Sequence, residues 1–149
     1  MHIRNLALSI MALTSLSFAQ EAVFVDHTTS QAFNQALDST RKAVSSQGMM
    51  VMGEIDQKGA LSSTGLKLEG AHAFLVGNPV FGRQLFEMTP AAGALVPLRL
   101  YLWVDSEDVT HISYFLPSAL LKSIDPGLAE PGSMLDESFA KIATEVAGQ

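Results

Sequence analysis

The side chains best suited to chemistry in this sequence are Glu54, Asp56, His72, Asn78, Arg99, Tyr101, Trp103 and His111. Glu54 and Asp56 stand two apart on a segment that reads as a strand, so both leave one face. Paired carboxylates can bind a cation, or can shift one another's pKa for metal-assisted or acid–base work alongside a histidine. The plainer alternative is a strand end emerging into solvent, with Asp56 starting a turn. No further oxygen ligands follow at metal-site spacing.

His27, His72 and His111 form no H-x-H, H-x-x-x-H or H-E-x-x-H pair, so spacing alone defines no metal site. A metal or a non-covalent haem would need imidazoles converging from separate strands, with a methionine nearby. The competing reading is a set of structural or surface histidines. His72, between Ala71 and Ala73, would then need a polar partner. Met49, Met50 and Met52 crowd into one short stretch, as soft-metal sites for Cu(I) do. Yet Met49 and Met50 point to opposite faces, and methionine commonly fills cores. Gly77-Asn78-Pro79 could offer backbone N–H groups to an anion, or simply turn a strand into a helix.

Arg99, Tyr101 and Trp103 alternate with Leu98, Leu100, Leu102 and Val104, which sets an aromatic, cationic face against an aliphatic one. The aliphatic face belongs to the core. The other is a ligand wall, a dimer surface, or packing beneath the last helix. His111 and Tyr114 fall on opposite faces of the following strand. Hairpin register decides which of them joins Trp103.

The elements that must position these groups alternate along the chain. Ala22–His27 reads as a strand, and Thr28-Thr29-Ser30 offers caps for a helix through about Ser46, stopped by Gly48. Met49–Ile55 is a second strand, and Gln57–Gly65 a loop or short helical turn. Leu66–Gly77 holds a third strand, and Pro79 opens a helix ending near Met88. Leu98–Val104 and Val109–Leu116 flank a hairpin at Asp105–Asp108. Ser118–Ser123 reads as one helical turn, and Ser133 as the cap of a last helix striped by Leu135, Phe139, Ile142 and Val146. The order β-α-β-β-α-β-β-α predicts a two-layer α+β domain, a mixed sheet with helices on one face.

The first segment reads as an address. Arg4 precedes an apolar run from Leu6 to Leu16, and Ser17-Phe18-Ala19 places small residues before Gln20. This is the pattern of a secretory signal peptide, Met1–Ala19, cleaved before Gln20, leaving residues 20–149 as one domain that is periplasmic or secreted. The chain carries 9 Lys+Arg against 15 Asp+Glu, a net charge of -6, and cleavage would remove Arg4 and no acid. That balance argues against a nucleic-acid partner. No stretch is long enough to span a bilayer once the leader is gone. With Cys 0 there is no disulfide, thiolate nucleophile or cysteine-based metal site. No G-x-S-x-G or S-x-x-K context supports a hydrolase serine.

Three segments, Gly48–Asp56, Val76–Pro79 and Leu95–Asp105, resemble in order and spacing the domain of unknown function 302 family. The resemblance covers Val23 to Pro117 and leaves the C-terminal piece outside. It implies a small α+β fold and makes a homodimer unsurprising. It implies no activity, so no catalytic residue is carried over.

The function expected from these readings is a non-enzymatic, exported binding or accessory protein. Its ligand is a small molecule or a metal-containing cofactor held near the aromatic face and the histidines. A metal-assisted or acid–base enzyme built on Glu54 and Asp56, and a purely structural dimerisation module, are the alternatives. No motif requires a cofactor.

Overall fold

Period-two alternation in the strands decides which side chains reach the core. The computed structural model describes residues 23–149. The expected signal peptide lies outside the described residues. Strands β1 (Phe24–Thr29), β2 (Met50–Asp56), β3 (Ala71–Gly77), β4 (Leu98–Val104) and β5 (Thr110–Phe115) form one sheet, ordered β1-β5-β4-β3-β2. Between and after them run helices α1 (Phe33–Ser46), α2 (Gln57–Ser62), α3 (Pro79–Met88), α4 (Pro117–Ile124) and α5 (Ala129–Ala147).

The α+β reading holds, but the sheet is not mixed. Every pairing in it is antiparallel. A parallel neighbour needs a connection that carries the chain back along the strand's length. The α3 excursion instead ends where it began, with Leu98 opposite Val76, so β4 runs back against β3.

Register places Phe74 and Val76 beside Leu98, Leu100 and Leu102, and these beside Ile112 and Tyr114. All of them are buried. Against this face pack α1, α3, α4 and α5, including the expected stripe of Leu135, Phe139, Ile142 and Val146. The opposite face carries Phe24, Asp26, Arg99, Tyr101, Trp103, His111, Ser113 and Phe115. It looks away from α5. Packing beneath the last helix is therefore eliminated for Tyr101 and Trp103.

Helix starts depart from the expected caps. Thr28 and Thr29 continue β1, where β-branched residues are at ease, and Thr29 Oγ1 donates to the Val146 carbonyl (2.9 Å). Helix α1 begins at Phe33 behind Ala32, with no side-chain cap. Residues 118–123 form most of a two-turn helix, opened by Pro117 rather than merely stopped by it. Ser133 does not cap α5, which begins at Ala129 and includes Pro131 and Gly132 in its first turn. Proline is tolerated there because the first N–H groups of a helix have no intrahelical acceptor.

Gly132 sits in α5 for a packing reason. A Cβ built on it would lie 2.5 Å from Ser118 Cα, so glycine lets α5 approach the start of α4. Ser118 also receives help from α5, its backbone N–H donating to Asp136 Oδ1 (2.9 Å). Gly132→Ala is expected to destabilise by about 1–2 kcal/mol, the overpacking cost less alanine's gain in helix propensity. Equilibrium urea unfolding checks this; a stabilised variant would disprove the close approach.

Candidate functional site

The expected site residues separate into three places. The first is the β2–β3 edge on the helix-covered face. Glu54 and Asp56 do leave the same side of β2, opposite Phe74 and His72 of β3. They do not act as a pair. Asp56 accepts from the Gly59 N–H (2.9 Å) and caps α2, the turn-starting role named as the plainer alternative. Glu54 receives Arg41 of α1 in a two-point bond, Nε to Oε1 at 2.9 Å and Nη2 to Oε2 at 2.7 Å. His72 Nε2 lies 2.8 Å from the same Oε2.

The Arg41 hydrogen bonds hold the Glu54 carboxyl down to about 2, against the upward push of its partial burial and with help from His72. A carboxylate so held is a poor proton carrier at neutral pH. What the edge builds is an ion pair. Arg41 also lies 5.6 Å from the centre of the Phe74 ring, a cation–π contact.

The linkage sign gives a test. A depressed carboxylate contributes stability above its unfolded value of 4.5, and that contribution is lost as pH falls through about 2. Glu54→Gln is expected to cost about 1 kcal/mol at neutral pH, as a partly exposed pair should. Urea titrations of both proteins should show the difference shrinking below the usual carboxylate range. A difference constant down to about pH 2 would refute the pairing.

The second place surrounds Asn78. Its Oδ1 accepts from the N–H groups of Val80 (2.9 Å) and Phe81 (3.3 Å), and its Nδ2 donates to the Gly48 carbonyl (3.0 Å). Both ends of the amide are thus engaged in closing α3 onto the end of α1. Beside it opens an apolar cleft of about 260 Å³, walled by Met49, Met52, Phe81, Leu85, Val96 and Leu135 among others. Met49 fills the core, as methionine commonly does, while Met52, at the rim of the same cleft, is half-exposed.

The third place is the helix-free face of the sheet. Register puts His111, not Tyr114, opposite Trp103, and their rings stack at 4.1 Å and 21°. Tyr114 goes to the core against Phe139. His111 Nδ1 lies 2.8 Å from Asp26 Oδ2, and Nε2 lies 3.1 Å from Asp105 Oδ2. Asp26 also accepts from the Ser113 hydroxyl, and Ser113 accepts from Trp103 Nε1 at 2.8 Å.

Ionised carboxylates only accept hydrogen bonds, and a neutral imidazole has one N–H to give. Donation to both aspartates therefore requires the imidazolium. Burial pushes the His111 pKa down, but the hydrogen bonds and charges of Asp26 and Asp105 outweigh it, and the net shift is upward. Asp105 is itself lowered, first by the Val109 N–H and then by His111. Asp26, Asp105 and Ser113 escaped sequence reasoning. The alternation of Phe24, Asp26 and Thr28 along β1 was the signal that could have found Asp26.

Next to this network lies a groove of about 290 Å³ lined by Phe24, Gln57, Arg99, Tyr101, Ser113, Tyr114 and Phe115. Phe24 and Phe115 meet edge to face at 5.4 Å and form one wall. Arg99 is exposed, and among the described residues no carboxylate lies within ion-pair range of it.

The histidines do not converge. His72 and His111 occupy opposite faces, and His27 shares the face of His72 but sits on β1, three strand spacings or about 14 Å away. Among the described residues no group of three or more His, Cys, Asp or Glu is arranged to hold a metal ion. Nor, among them, is any helix long and apolar enough to cross a membrane.

Comparison with known proteins places the fold. A solved structure, the uncharacterized conserved protein DUF302 from Bacillus stearothermophilus, superposes with a TM-score of 0.78 at 17% sequence identity. The match covers 83% of this chain and 98% of that one, and at this identity it speaks for the fold alone. No curated protein matches the chain. The family model described as domain of unknown function DUF302 matches residues 25–146, past the Pro117 limit of the sequence resemblance and through most of α5. The extension is physical, because α5 supplies Leu135, Phe139, Ile142 and Val146 to the buried core that covers the sheet. The chain belongs to the DUF302 family.

Proposed function

We propose that this DUF302 protein is an exported, non-enzymatic binding protein that takes a small molecule on the helix-free face of its sheet. One observation carries the reading. The groove beside Arg99 and Tyr101 combines aromatic walls with polar groups that face outward, the usual make-up of a small-molecule site. The other expected site groups are already engaged within the fold: Glu54 by Arg41, Asp56 by α2, and Asn78 by α3. The leader-like segment Met1–Ala19 supports export.

Fractionation with N-terminal sequencing tests the address: a periplasmic or secreted protein beginning at Gln20 is expected, and an unprocessed cytoplasmic one would refute it. For binding, NMR titration with pooled small molecules should give shifts clustered on Arg99, Tyr101, Phe24 and Phe115. The apolar cleft supports a second reading, an uncharged hydrophobic ligand held among Met49, Phe81 and Leu85. Its larger volume than the roughly 150 Å³ apolar cavity that holds benzene makes room for one. Shifts clustered there instead would favour that reading over the groove.

A further inference from the structure

We infer that the ligand of the open-face groove is a small aromatic carboxylate, anchored by Arg99. The inference rests on the binding reading above and narrows it to one chemical class. Among the groove's lining residues Arg99 is the sole charged one, a cation in a chain of net charge -6. Its neighbours Gln57, Tyr101 and Ser113 are neutral, so nothing in the lining repels an anion.

The carboxylates closest in this network do not compete for Arg99. Asp26 is held by Ser113 and His111, and Asp105 by His111 and the hairpin backbone. A guanidinium presents paired N–H groups that match a carboxylate at two points. Phe24 and Phe115 offer faces and edges on which a flat ring can pack. About 290 Å³ is more than the roughly 150 Å³ that accommodates benzene, which leaves space for a ring with its acid group.

Benzoate, benzamide and inorganic phosphate test this on the mature chain by NMR. Benzoate should shift Arg99 and Tyr101, with benzamide about tenfold or more weaker and phosphate weaker still. Arg99→Gln should lose the preference for benzoate over benzamide, and Arg99→Lys should keep part of it, since lysine retains charge but not the two-point match. Because Arg99 is exposed, neither variant threatens folding. Equal binding of benzoate and benzamide in the groove would overturn the carboxylate class while leaving the binding reading intact. No groove shift with any probe would overturn both. A dimer by sedimentation, with dilution-dependent NMR shifts on Phe24 and Phe115 and no groove shift from the probes, would also overturn both, and assign this face to a second copy.

Discussion

His111→Ala is expected to destabilise the fold by roughly 2–3 kcal/mol at about pH 6, and by clearly less at about pH 9. The imidazolium joins β1, β5 and the β4–β5 turn by donating to Asp26 and Asp105. Removing it leaves two partly buried carboxylates facing the gap, with side-chain exposures of 32% and 26%. The sign follows from the upward shift of His111. A raised histidine contributes its full stability below its unfolded pKa and loses it as pH rises through the folded value. Above that value the imidazole is neutral in both states, one carboxylate loses its donor, and the wild-type advantage falls. Urea unfolding at the two pH values decides the matter. The chain's single tryptophan, Trp103, stacks on this ring and reports its protonation by fluorescence. An equal cost at both pH values would show that His111 contributes only packing.

A larger loss, about 3–5 kcal/mol, is expected for Phe139→Ala. Phe139 is 0% exposed, packs 5.4 Å from Tyr114, and lies in the middle of the α5 stripe that closes the core. Alanine would remove the ring and leave a cavity that neighbouring strands, fixed by their pairing, can fill only in part. Phe24→Ala is the control. It removes the same side chain from a position that is 51% exposed, so its cost should stay below about 1 kcal/mol. A loss under about 1 kcal/mol for Phe139→Ala would mean that α5 is not integral to the fold.

Phe139 and Trp103 show how far the sequence can be read. The α5 stripe was legible because four large apolar residues at helical spacing have one low-energy arrangement, which is to face a core. The aliphatic face of β4 was legible for the same reason at period two. Helix starts were less so. Thr28–Ser30 have the residue types of a cap, but pairing between Thr29 and Thr110 keeps Thr28 and Thr29 in the strand, and α1 starts only at Phe33. Ser133 fails as a cap because α5 starts earlier, with Pro131 in a turn that needs no N–H.

The candidate site divides along the same line. By itself the sequence determined the residue types, the two faces of β4 and the shared side of Glu54 and Asp56, since these follow from local periodicity. Tertiary structure decided the rest. It alone brought Arg41 to Glu54 and Asp26 to His111, pairs 13 and 85 residues apart in the chain. It alone fixed the hairpin register that stacks His111, and not Tyr114, on Trp103. The reason is that a strand's own pattern says which side chains share a face but not which strand lies beside it. Charge partners come from whichever element packs there, α1 for Glu54 and β1 for His111, and they set the protonation state of that histidine.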